Sequence, residues 1–144
     1  MNNDEHICSI ALTLCPGIGH IGAKRLLEGM GSAVDVFRHR KELPEILSGI
    51  SPSVIAALDC PAAFQRAERE IEFVEKNRIS CLTLKDEAYP SRLRECEDAP
   101  LVLFFKGNTD FNRIRVINMV GTRRATEYGK QFCADFLHDM AALC

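Results

Sequence analysis

A chain of 144 residues with 47% apolar and 26% charged residues has enough material to bury a core, as one domain or two small ones. A formal net charge of −2 excludes a uniformly basic, sticky protein, and no apolar run approaches a membrane span. The polar start MNNDEH is unlike a signal peptide, and seven cysteines without a C-x-x-C pair read as free thiols in a reducing cytoplasm.

Residues 7–14, ICSIALTL, read as a short apolar helix, broken by Pro16-Gly17-Ile18-Gly19. A second helix over 21–28 follows, with Ala23, Leu26 and Leu27 at helical spacing. Helix, P-G-I-G, helix is a helix-hairpin-helix pattern, in which Gly17 and Gly19 permit a tight turn with exposed N–H groups. Lys24 and Arg25 come next, so this hairpin is a possible second DNA contact; the alternative is a plain structural module. Residues 47–58 repeat the pattern in weaker form, with Gly49 aligned to Gly17, Ile50 to Ile18 and Leu58 to Leu26. Short helices near 33–37 and 43–47 connect the two, giving a helical domain over residues 1–60.

Pro61 suits a first helical position, and Phe64, Ala67, Ile71 and Val74 then share one helix face. Asn77 ends that helix. Residues 79–84 and 101–105 read as strands, with a loop at 86–89 and a short helix at 90–95 between them. Residues 114–120 read as a central strand buried on both faces, as in a parallel sheet. A helix from Thr126 to Cys144 places Phe132, Phe136, Met140 and Leu143 on one face. The order α, β, β, β, α over 61–144 is the beginning of an α/β sheet.

The stretch IRVINMVGTRRATEYG, residues 114–129, carries the strongest functional signal. A strand, a glycine turn and a helix N-terminus together present N–H groups and a positive dipole end to an anion. Gly121 and Thr122 shape the turn, Arg123 is the main candidate phosphate contact, and Arg124 and Lys130 reinforce it. A dinucleotide is rejected, since G-x-G-x-x-G is absent and the next glycine after Gly121 is Gly129. No P-loop motif occurs either. Between Arg113 and Lys130 five basic residues face one acid, whereas residues 1–60 carry five basic and seven acidic. The basicity is local, as a phosphate groove requires. The alternative is an ordinary turn with solvated arginines.

VGTRRATEYG at 120–129 resembles the signature of the DNA-processing protein A (DprA/Smf) family. Tyr89-Pro90-x-x-Leu93, then Ala99-Pro100-Leu101-Val102-Leu103-Phe104 and Lys106-Gly107, resemble a second block of that family, and the Pro16–Gly19 hairpin fits its leading helical domain. The resemblance implies a helix-hairpin-helix (SAM-like) domain followed by the start of a Rossmann-like α/β domain, truncated, so that the chain reads as an N-terminal fragment. It also implies a cytoplasmic single-stranded DNA-binding recombination mediator of natural transformation. That protein protects incoming DNA, loads the RecA recombinase and forms a homo-oligomer, with no membrane association.

No catalytic constellation stands out. His6, His20, His39 and His138 are scattered without metal-ligand spacing, and Ser91 and Thr122 have no evident base. No cofactor, metal or catalytic residue is expected, and the chain reads as a binding module rather than an enzyme. A Rossmann-like nucleotide- or phosphate-binding enzyme fragment is the alternative. Tyr89 and Phe105 are candidates to stack on bases, with core packing favoured for Phe105.

Overall fold

The structure is a computed structural model and describes residues 3–142. It divides after Arg113 into two units. The first holds helices α1 (Asn3–Leu14), α2 (His20–Met30), α3 (Ala33–Arg38), α4 (Leu43–Ile46), α5 (Pro52–Leu58) and α6 (Pro61–Lys76), strand β1 (Ser80–Thr83), helix α7 (Ser91–Arg94) and strand β2 (Val102–Phe105). The second holds α8 (Glu127–Ala141). The protein is thus mixed α and β, rich in helix, with a two-stranded antiparallel sheet.

Helix α1 is the hub of the first unit. Ile10, Ala11 and Leu12 are buried, and the helix packs chiefly on α6 and α3. Glu5 ties α1 to α3, since its carboxylate accepts from Ala33 N at 2.9 Å and Val34 N at 3.2 Å. Ser32 caps the same helix by accepting from Asp35 N at 2.9 Å. Together they satisfy N–H groups that a helix start leaves unpaired. Helix α6 begins at Pro61, as its sequence predicts, and buries Ala63, Ala67, Ile71 and Val74. Phe64 lies at the edge of that face, half-buried and edge-on to Phe37 with ring centroids 4.6 Å apart. The boundary expected near residue 60 lies within this unit, whose core includes Leu12, Leu58 and Ile71 alike.

The two hairpins share a backbone. Ile18 N donates to Cys15 O at 3.3 Å, with Pro16 and Gly17 between them and Gly17 at φ +81°, the pattern of a type II turn. Gly49 has the same φ of +81°, and the aligned Leu26 and Leu58 are both fully buried.

Helix α6 ends in a Schellman motif: Ile79 N donates to Val74 O at 2.9 Å and Arg78 N to Glu75 O at 3.2 Å. Arg78 takes the left-handed position, φ +53°, where glycine is usual. The chain then enters β1, which pairs with β2 in the register Ser80↔Phe105 to Thr83↔Val102. Asp86 closes the turn after β1 by accepting from Thr83 N at 2.6 Å and Thr83 Oγ1 at 2.9 Å. Tyr89, with no exposed surface, donates its hydroxyl to Pro100 O at 2.7 Å. That bond ties the Tyr-Pro block to the Ala-Pro block.

Residues 114–120 overturn an expectation: they form no strand. Ile114 is 91% exposed and Val120 90%, and Val116, Ile117 and Met119 are exposed as well. A strand buried on both faces requires a ladder partner and a cover on each side. The described sheet contains β1 and β2 alone, and their pairing is antiparallel. Helix α8 starts one residue later than expected, after Thr126, whose hydroxyl accepts from Gly129 N at 3.1 Å. Phe132 and Phe136 stack with centroids 6.3 Å apart. Phe132 is exposed and Phe136 and Met140 half-buried, while Leu143 and Cys144 lie outside the described residues.

Candidate nucleic-acid interface

The second unit holds the arginine turn. Gly121 to Ala125 form no regular structure, and all five residues are exposed. Thr122 Oγ1 donates to Arg124 O at 3.0 Å, which folds the turn on itself. The side chains of Arg123 and Arg124 carry no described hydrogen bond or ion pair, so their donors face solvent. Lys130 pairs with Glu127 at 2.6 Å on the exposed surface, a contact of little stabilising value that a polyanion can replace.

The helix N-terminus does not directly follow Arg123. Helix α8 begins at Glu127, so Arg124, Ala125 and Thr126 intervene. Thr126 caps Gly129 N, and Glu127 offsets part of the positive dipole end with its own charge. An anion at this segment would therefore meet guanidinium charge more than helix N–H groups.

The N-terminal hairpin is arranged differently. Gly17 and Gly19 are exposed, and Gly19 is the N-cap of α2 without a side-chain cap. Arg25 is exposed on the next turn. Lys24 turns away into the fold, where its Nζ donates to Arg94 O at 2.9 Å and Cys96 O at 2.6 Å and lies 3.7 Å from Glu28. An ammonium has three N–H donors, and two of them are used on these carbonyls, with Glu28 as a longer-range ion-pair partner. Lys24 thus serves as the cation at the C-terminal end of α7.

Tyr89 is not a stacking platform, because it is fully buried. Burial pushes its phenol above the ordinary value, with Arg94 opposing the shift. Phe105 packs edge-on to Phe111, centroids 4.9 Å apart. The thiols of Cys8, Cys15 and Cys81 are raised from 9.0 to about 11, mainly by burial, and Cys8, Cys15, Cys60, Cys81, Cys96 and Cys133 are all free. Among the described residues no group of His, Cys, Asp and Glu is placed to hold a metal ion. No described helix is long and apolar enough to cross a membrane.

Sequence reading missed two groups. His6, buried, lies with Nε2 3.5 Å from Asp86 Oδ2 across nearly the whole first unit. Arg94 lies over the Tyr89 ring at 5.6 Å and donates Nη2 to Asp86 O at 2.7 Å. Neither pairing leaves a periodic signal, because the first joins residues distant in sequence and the second reaches back across a loop.

The blocks that pass through Tyr89, Pro100 and the arginine turn also carry a likeness to known proteins. The sequence model of DNA recombination-mediator protein A matches residues 80–143. Through those residues, this chain is similar to that family. Among curated relatives, the DNA processing protein DprA of Streptococcus pneumoniae is 32% identical over 73 residues, covering 48% of this chain and 26% of the relative. The DNA processing protein DprA of Bacillus subtilis is 35% identical over 69 residues, covering 47% and 23%. The chain thus spans about a quarter of the length of these relatives. No solved structure matches it.

Proposed function

We propose that this chain works in DNA processing as part of a single-stranded DNA-binding recombination mediator. Arg123 is the main phosphate contact in this reading, Arg124 and Lys130 assist it, and Gly121 and Thr122 shape the turn. The bound strand is protected and handed to the RecA recombinase during natural transformation, in the cytoplasm, by a homo-oligomer that performs no chemistry of its own. Residues 1–60 act as a helix-hairpin-helix (SAM-like) domain and residues 61–144 begin a Rossmann-like layer.

The observation that carries the reading is the pair of solvent-facing arginines at 123 and 124, inside the family-matched segment and in its most basic stretch. Phosphate contacts supply most of the affinity for a single strand and carry no base information. Arg123→Ala is therefore expected to weaken binding of labelled oligonucleotides by about 1–3 kcal/mol, equally across sequences. The slope of log affinity against log salt should flatten by about 0.7. Titrations at several salt concentrations measure both. Unchanged affinity and slope, together with nucleotide turnover, would replace this reading with that of a phosphate-binding enzyme.

A further inference from the structure

A second cationic site lies within the first unit. A cavity of about 230 Å³ is lined by Lys24, Leu27, Glu28, Leu84, Lys85 and Arg94. Leu27 and Leu84 give it an apolar floor. Three cations and one acid face it, but the cations are not equivalent. Lys24 is committed to the carbonyls of Arg94 and Cys96. Lys85 is exposed and has no hydrogen bond or ion pair with a described residue.

Arg94 is anchored through one donor but not satisfied. The Tyr89 ring covers one side of the guanidinium, and Nη2 donates to Asp86 O. Nε is buried and has no hydrogen-bond partner among the described residues. A guanidinium carries five N–H donors, and the fold uses one of them. A buried charged donor without an acceptor is a costly arrangement that calls for an explanation. A guanidinium with free donors, beside a free ammonium and above an apolar floor, suits a group with two anionic oxygens on a less polar body.

We propose that Lys85 and Arg94 form a phosphate-binding site, with Leu27 and Leu84 covering the body that carries the phosphate. Lys85 and Arg94 Nη1 make the first contacts. A small rotation of the guanidinium over Tyr89 then brings Nε onto a second oxygen. Glu28 limits the site to one phosphate group, since a second would meet its carboxylate. The phosphate belongs either to a nucleic-acid backbone or to a small phosphate ester. The site contains no residue beyond Arg113, so it stands or falls independently of the arginine turn.

The test uses the whole chain, labelled with nitrogen-15, titrated with inorganic phosphate against chloride at constant ionic strength. Saturable shifts are expected at the Arg94 Nε–H signal and at the Leu84 and Lys85 amides. Lys85→Ala should weaken the apparent affinity at least threefold. Arg94→Lys keeps the charge but loses the fork, and should abolish saturation. Arg123→Ala should leave the shifts unchanged. Lys85 is exposed, so its variant keeps the test valid even where Arg94→Lys fails to fold. Displacement of the phosphate shifts by an oligothymidylate supports the site and assigns it to a nucleic-acid backbone. Retention of the shifts supports it as a small-ester site. Linear shifts that Lys85→Ala does not change would overturn the proposal.

Discussion

The two units contain equally apolar stretches with opposite fates. In the first, Leu12 and Tyr89 have no exposed surface; in the second, Ile114 and Val120 keep about nine-tenths of theirs. The difference lies in what each stretch needs as a partner. Helices satisfy their own backbone and need only an apolar face to pack on, and α1 finds that face on α6 and α3 within the chain. A strand has no such independence. Its N–H and C=O groups need a neighbour before its side chains gain anything from burial. Apolar composition therefore marks both stretches as interior, while the availability of a ladder partner decides which of them is buried.

The largest effect that would break this contrast is core truncation. Leu12→Ala is expected to cost about 2–5 kcal/mol, through lost burial and the cavity left behind, whereas Ile114→Ala should stay within about 0.5 kcal/mol. Urea melts followed by circular dichroism measure both. Equal losses would mean that 114–120 is buried in solution. Next comes the tie between the two family blocks. Tyr89→Phe removes the hydroxyl that donates to Pro100 O and leaves that carbonyl without this buried donor, at an expected cost of about 1–2 kcal/mol in the same melts.

A change of opposite sign sharpens the comparison. Arg78→Gly at the end of α6 should stabilise by about 0.5–1 kcal/mol, because the left-handed φ of +53° suits glycine at no steric cost. The smallest effect is a pH dependence confined to the first unit. The thiols of Cys8, Cys15 and Cys81 are raised in the folded state from 9.0 to about 11. A raised value means that the folded protein holds its proton longer than the unfolded chain does. This contribution is therefore full below pH 9 and is lost as pH rises toward 11. Stability should fall over that window, and Cys81→Ala should reduce the slope, as alkaline melts would show.

Much of the first unit was legible because its signals are local. Pro61 at a helix start, Asn77 at its end, and Gly17 and Gly49 at equivalent turns all act within a few residues. The two short strands were legible from their apolar runs, although their antiparallel pairing was not, because pairing direction is not a local property. Residues 114–120 misled for the converse reason: their composition describes a strand within a sheet, and no described residue pairs with them in a ladder. In the candidate site, the arginines were legible as a charge cluster. The commitment of Lys24 to α7 was not, because nothing near Lys24 in sequence announces carbonyls 70 residues away.

That long-range clasp also bears on the order of events during synthesis. Helix α2 leaves the ribosome with its Lys24 ammonium unpaired by any carbonyl of α7, and Arg94 and Cys96 follow only after some 70 further residues. At ~5–20 residues per second, that delay is about 4–14 s. Through this interval the Lys24 clasp cannot form, so α2 gains this contact only once the segment matched by the family model has been made.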